Sequence, residues 1–404
     1  MYVPGARELA LMLVFALALV LAVATQSPAA PALAAAAVAA WFAARSKERI
    51  LAAVYGERAL LLAGIRELKF IESRVPVACV VARGGKLYGV FMRVKDCDPA
   101  RSTGRAAERA IAALHHPSAR VTLIAALREG GYGYYLGVWA PDLRSLSAAV
   151  GDIAQAALAA GLYVTLADAR EALSAAATLG ERELPARPPL LATAAALSVI
   201  AAAALGQPLI ALAAVPLAPL LLDDVKIARG GPLPVVPAPA RRLEITAYSV
   251  DEFSVSAMLR SVSAVAQTAP PHSFVAAALQ PADAALVEAK AKVAMEVLDA
   301  ARAGASKLRE ELKASRWLVI WRALQDGAAP FTATVVASER LASELEKCGL
   351  RSSARSPLTS LRALIPLGGG ELRVSHELAW LSPYAFFRPR TRRTPKAIYL
   401  GRGL

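Results

Sequence analysis

Cysteine is nearly absent. Cys79, Cys97 and Cys348 are the only three, an odd number with no Cys-x-x-Cys spacing, which excludes a disulfide framework and a cysteine-rich zinc site. Histidine is as scarce: His115, His116, His272 and His376 stand without an HExxH pair or a companion cluster of carboxylates, so no metal is expected. The signatures of nucleotide chemistry are missing too. A P-loop needs glycines that let backbone amides wrap a phosphate, followed by a lysine-hydroxyl pair, and no GxxxxGK[ST] occurs. Gly304-Ala305-Ser306-Lys307 and Gly368-Gly369-Gly370 lack that spacing, no GxGxxG follows a strand pattern, and no GxSxG elbow exists. The sequence therefore offers no catalytic residue, no cofactor and no metal ligand.

Charge is missing from two long stretches, Leu9 to Ala44 and Pro188 to Leu222, of 36 and 35 residues. Each carries a turn signal near its middle, Thr25-Gln26-Ser27-Pro28 in one and Gly206-Gln207-Pro208 in the other. Roughly 20 apolar residues cross a bilayer core. These runs therefore predict two transmembrane helical hairpins, with spans at Leu9–Thr25, Ala29–Ala44, Leu190–Leu205 and Leu209–Leu222. Arg45, Lys47 and Arg49 follow the first run, Arg182 and Arg187 precede the second, and Lys226 and Arg229 follow it, whereas the turns carry no basic residue. The positive-inside rule then puts both termini and both intervening domains in the cytoplasm of a multi-pass cell-membrane protein.

Positive charge is in excess. The net charge is +14, which calls for an anionic partner, either DNA or the anionic lipid of the inner leaflet. The densest cluster, Arg388, Arg390, Arg392, Arg393, Lys396 and Arg402, has no acidic residue after Glu377 and is interrupted by Pro389 and Pro395, so it reads as an extended tail. Those six residues are the candidate nucleic-acid or lipid contacts.

The remaining sequence alternates between strand and helix patterns. In residues 45–187, a helix over Glu48–Phe70 leads into strand-like runs at Val75–Val81 and Leu87–Val94. A helix at Thr103–His115, a hairpin of Arg120–Leu127 and Tyr132–Trp139, a helix at Asp142–Ala160 and a strand at Leu162–Leu166 follow. That order predicts a ferredoxin-like α+β sandwich with a largely antiparallel sheet. Residues 223–380 open with a Pro-rich linker and repeat the logic. Strands are expected at Leu243–Tyr248, Phe274–Leu279, Trp317–Leu324 and Phe331–Val336, and helices at Asp251–Ala264, from Pro281 to Ser315, at Glu339–Cys348 and at Pro357–Leu364. The expected division is thus hairpin 1–44, domain 45–187, hairpin 188–222, domain 223–380 and basic tail 381–404. Gly130-Gly131-Tyr132-Gly133-Tyr134-Tyr135 reads either as a base-stacking strand or as a hairpin with a buried tyrosine face.

Four passages resemble the N-terminal regions of the large ATPases of conjugative type IV secretion and of their archaeal relatives in DNA import. Leu87-Tyr88-Gly89-Val90-Phe91-Met92-Arg93-Val94 is similar to a family strand. Tyr134–Trp139, Asp142–Ala160 and Gly161-Leu162-Tyr163-Val164 resemble its strand–helix–strand passage. Lys347-Cys348-Gly349-Leu350, with Leu361 to Leu367, resembles the helix and Leu-Pro turn that close the region, and Pro395 to Arg402 the strand that enters the motor. The Walker motifs of that motor have no counterpart in these 404 residues. The resemblance implies a non-catalytic membrane anchor or scaffold, homo-oligomeric, docking a separately encoded ATPase and channel subunits for DNA transfer. The alternative expectation is a lipid-associated structural protein with a basic cytoplasmic surface.

Overall fold

The computed structural model describes residues 29–56, 65, 67–72, 76–82, 85–98, 103–128, 131–245, 252–301 and 308–387. In chain order its elements begin with α1 (Ala29–Arg45), α2 (Lys47–Tyr55), β1 (Glu67–Ile71), β2 (Val77–Ala82), β3 (Gly85–Cys97), α3 (Gly104–Ala112), β4 (Arg120–Arg128) and β5 (Gly131–Ala140). Next come α4 (Leu143–Ala159), β6 (Leu162–Ala167), α5 (Ala169–Ser174), β7 (Ala177–Leu184), α6 (Leu190–Ala204), a 3-10 segment (Pro208–Leu217), α7 (Ala218–Ala228) and β8 (Gly231–Pro237). The rest are β9 (Ala240–Ile245), α8 (Glu252–Thr268), β10 (Phe274–Pro281), α9 (Ala284–Ala301), α10 (Leu308–Gln325), β11 (Pro330–Ser338), α11 (Glu339–Glu346), β12 (Leu350–Arg355), α12 (Pro357–Leu364), β13 (Glu371–Val374) and α13 (Ser375–Leu378). Two compact units result, one drawn from 1–66 and 180–234, the other from 67–179 and 235–404. The chain passes between them within β7 and β8, which pair with each other.

The larger unit is built on one eleven-stranded sheet in the order β1-β2-β3-β5-β4-β10-β11-β9-β12, with β6 added to β3 and β13 to β11. Every pairing for which a register is resolved is antiparallel. The connectivity resolves into two βαββαβ modules. The first, β3-α3-β4-β5-α4-β6, has spatial order β6-β3-β5-β4; the second, β9-α8-β10-β11-α11-β12, has order β12-β9-β11-β10. Both are the same 4-1-3-2 arrangement. They join through their second strands, β4 against β10, with Val121 opposite Leu279 and Ala126 opposite Phe274.

Local chemistry explains most of these elements. Thr103, Asp142 and Ser356 cap α3, α4 and α12 by accepting from Ala106, Ser145 and Thr359 backbone N–H groups. Gly161 and Gly349 take positive φ between a helix and the following strand, where a side chain would be strained. Alternation along the strands sends Leu123, Leu136, Val138, Val275 and Val335 into one core with Ile111 of α3, Ile153 of α4, Val262 of α8 and Leu345 of α11, so the four module helices share one face of the sheet. On the opposite face, α12 covers the seam. Thr122 Oγ1 donates to the Leu364 carbonyl at 3.2 Å and Arg120 to that of Pro366 at 2.7 Å.

Two expectations are overturned. First, no described helix is long and apolar enough to cross a membrane, which contradicts the predicted transmembrane hairpins and the multi-pass localisation built on them. Helix α1 has 17 residues and α6 has 15. The span expected at Leu209–Leu222 is a 3-10 segment running into α7, because Pro208, Pro216 and Pro219 deny it a continuous α-helical ladder. The span expected at Leu9–Thr25 lies outside the described residues. Second, the two α+β modules do not each follow a hairpin as separate domains; they are halves of a single antiparallel sheet. Smaller departures follow the same physics. Trp317–Leu324 belongs to α10, whose Ile320 and Ala323 pack on Val287 of α9. The Pro-rich stretch after Gly230 is strand β8.

Candidate functional site

Arg388, Arg390, Arg392, Arg393, Lys396 and Arg402 lie outside the described residues. The segment that leads to them is described and firmly held. After α13 the chain makes 3-10 turns at Ala379–Leu381 and Pro383–Ala385. Trp380, Leu381, Tyr384 and Phe386 enter the core between the helices of the two modules. The Tyr134 hydroxyl donates to the Leu381 carbonyl, and that of Tyr384 to the Ala160 carbonyl at 2.7 Å. Burial of this much aromatic surface stabilises the segment by several kcal/mol, at about 25 cal/mol per Å² of apolar area.

The segment ends at a cleft of about 480 Å³ lined by Arg93, Lys95, Asp96, Tyr132, Phe386 and Phe387. The Tyr132 ring lies 5.2 Å from that of Phe386, and burial pushes its hydroxyl up to about 12. Three aromatic rings line it with one cation, Lys95, and one carboxylate, Asp96, because the Arg93 guanidinium is directed to Glu171 on the other face of the sheet.

Arg93 also takes part in a cluster on the face of the sheet away from the four module helices. Tyr135, directly opposite Arg93 in the register, donates its hydroxyl to Glu171 Oε1 at 2.6 Å. Arg128 binds the same carboxylate at 2.9 Å and the Glu171 carbonyl at 2.9 Å, and Arg93 approaches to 3.7 Å. Both guanidinium carbons lie within 6 Å of the Tyr135 ring centre, at 5.9 and 5.6 Å. Helix α5, started by Asp168 accepting from Arg170 N–H, carries the carboxylate. Neither Tyr134 nor Tyr135 is free to stack a base, since both rings are buried; of the two readings of the Gly130–Tyr135 run, the buried tyrosine face describes them. Glu171 is invisible in the sequence, because nothing local ties it to a strand 36 residues earlier.

This cluster has a defined pH response. The Tyr135 hydrogen bond first, and then Arg128 and Arg93, hold the Glu171 carboxyl below the usual carboxylate range. Burial, followed by that same bond, pushes the Tyr135 hydroxyl up to about 12. The depressed carboxyl contributes stability that is complete above its unfolded value and lost as pH falls through the folded one. The raised phenol contributes stability that is complete below its unfolded value and lost as pH climbs through about 12. Tyr135→Phe is therefore expected to raise the Glu171 pKa, read by carboxyl NMR titration, and to make the acid-side loss of stability shallower. An unmoved Glu171 titration would mean that the arginines alone hold the carboxylate.

Several other chemistry-bearing side chains among the described residues have structural partners. Ser118 Oγ lies 3.1 Å from His116 Nδ1, and His116 Nε2 lies 3.2 Å from Asp152 Oδ2, in the order of a hydrolytic triad. Here, however, the Ser118 backbone N–H also points at Nδ1, at 3.4 Å, so the imidazole closes the turn after α3. Asp152 is mostly exposed, and the cleft described above lies elsewhere. His115 packs edge-on against Phe331 and bonds the Ala282 carbonyl. His376 and Glu108 meet at 3.2 Å, and burial drives both toward their neutral forms. Burial pushes the Cys97 thiol up to about 11, away from the thiolate a nucleophile requires. Among the described residues no group of three His, Cys, Asp or Glu could hold a metal.

No protein-family model and no curated protein matches the chain. The site therefore rests on its own geometry: an aromatic cleft and the buried root of a basic run.

Proposed function

We propose that this chain is a non-catalytic scaffold subunit of a conjugation-like DNA transfer or import machine, one that docks a separately encoded ATPase and binds DNA through its basic C-terminal run. The observation that carries the reading is the root of that run: Trp380, Tyr384 and Phe386 lock it into the core beside the aromatic cleft that holds Lys95. A polyanion held by the run would meet Lys95 and three aromatic rings at the cleft. Support also comes from the resemblance, whose first two passages fall on β3 and on the consecutive elements β5, α4 and β6 of the first module. The join of two modules in one sheet supplies a rigid platform on which a motor can be held in fixed register.

The test measures binding of the full chain to short duplex DNA over a salt series, using fluorescence anisotropy. A variant with Arg388, Arg390, Arg392, Arg393, Lys396 and Arg402 all changed to Ser is expected to bind more weakly. Its log–log salt slope should be shallower by about 0.9 for each phosphate the variant no longer neutralises. Equal binding by the two chains removes DNA from the proposal. A tagged full chain recovered from its own cells should bring down a P-loop ATPase, identified by mass spectrometry. Recovery of the chain without one removes the docking role.

A further inference from the structure

The smaller unit has a small core of Leu51, Tyr55, Leu220 and Ile227. Its α1 buries Ala36, Ala40 and Ala43, and α6 buries Ala195 and Ala202. Other bulky side chains of the same unit face outward: Phe42 is 56 % exposed, Leu197 59 %, Ile200 63 %, Leu205 66 % and Leu222 76 %. Helix α6 has no charged residue on any side, and a helix apolar all round is stable only when covered all round. Leu33, Val38, Leu190, Val199 and Val215 add to the exposed set. Within α6, Leu190, Leu197 and Ile200 recur at helical spacing and form one exposed apolar stripe.

We propose that this face is the contact surface between two copies of the chain. Three observations choose that occupant. The chain carries +14, so two copies repel except through a surface without charge, and Pro188 to Leu222 is such a surface. The stripe also holds both halves of a self-complementary contact: exposed Ala194 and Ala204 lie beside Leu190, Leu197 and Ile200, so bulky groups of one copy fit over the alanines of the other. Lipid is a poorer cover, because the 15 residues of α6 rise about 22 Å, short of the ~30 Å of a hydrocarbon core.

Self-association through this face is independent of the DNA-transfer reading, and its readout involves neither DNA nor an ATPase. Sedimentation of the full chain at micromolar concentration, in detergent-free buffer, is expected to show a dimer or a higher even assembly that dissociates on dilution. The double variant Leu197→Lys and Ile200→Lys should weaken self-association by a hundredfold or more, since it places cations in a dry contact. Leu286→Lys, at an exposed leucine of the other unit, should leave it unchanged. The unsubstituted chain decides the matter if the double variant fails to fold. A monomer throughout the concentration range overturns the proposal. So does a folded double variant that associates like the parent. Flotation of a monomeric chain with neutral phosphatidylcholine vesicles would assign the face to lipid and overturn it as well.

Discussion

Replacing Gly137 by valine is expected to destabilise the larger unit by about 3 kcal/mol or more, at the upper end of overpacking costs. A Cβ on Gly137 would stand 2.6 Å from the Phe91 ring, and one on Gly89 would stand 2.5 Å from the Trp139 ring. The register makes these a crossed set: Gly89 faces Trp139 and Phe91 faces Gly137 on the adjacent strands β3 and β5. The two rings then meet edge to face, with centroids 5.6 Å apart at 86°, and both are fully buried. Each glycine is thus the floor on which an aromatic ring of the neighbouring strand lies. Neither ring can retreat, because the other ring blocks it. Urea denaturation followed by Trp fluorescence measures the effect. Phe91→Leu is expected to cost less on the Gly137→Ala background than on the parent, a coupling that two independent sites would not show. Additive costs would mean that the strand itself, and not the ring, excludes the side chain.

The first module is readable almost element by element because its signals are local. Thr103 and Asp142 cap helices, Gly161 ends one, and the glycines at 130 and 131 punctuate two long apolar runs. The joining of the modules is not readable. Strands β4 and β10 are buried on both faces, with residues 121–126 and 274–279 all inside, so alternation disappears and nothing local states which edge seeks which. Helix α10 is hidden for a related reason: Trp317-Leu318-Val319-Ile320-Trp321 has strand composition, yet α9 offers it an apolar partner in Val287. Strand β1 vanishes into a helical pattern because Leu68 and Phe70 fit either period over so short a run. The Glu171 cluster and the aromatic root of the C-terminal run depend on residues 36 and about 250 positions apart, and only the fold brings them together.

The acids Asp223 and Asp224 are the least legible residues of all, since they read as an ordinary charged flank. In the smaller unit Asp224 is fully buried and acts as a remote helix cap. It accepts the Tyr55 hydroxyl and the backbone N–H groups of Leu191, at 3.3 Å, and Ala192, at 3.0 Å. Helix α6 needs this help: its own N-cap position is Pro189, which supplies no side-chain acceptor, and the first-turn donors have no partner inside the helix. The carboxylate also lies at the positive end of the helix dipole. Asp223 beside it pairs with Lys47, so both acids after the second uncharged run are tied to the stretch that follows the first. Asp224→Ala removes a cap and leaves a buried hydroxyl and two N–H groups with no acceptor there. A cap loss of about 0.5–2 kcal/mol, which covers the two N–H groups, plus about 1–3 kcal/mol for the orphaned hydroxyl gives an expected cost of about 3 kcal/mol. Asp224→Asn, which keeps one acceptor oxygen, should lose about half of that. Tyr55→Phe should also weaken the start of α6, because the Tyr55 oxygen accepts from Leu190 N–H at 3.1 Å. Hydrogen exchange gives the sharpest readout: amides 193–204 should lose protection in Asp224→Ala while those of the β4–β10 seam keep theirs. Equal protection along α6 in the variant and the parent would mean that the helix is held by its packing alone and that Asp224 is a passenger.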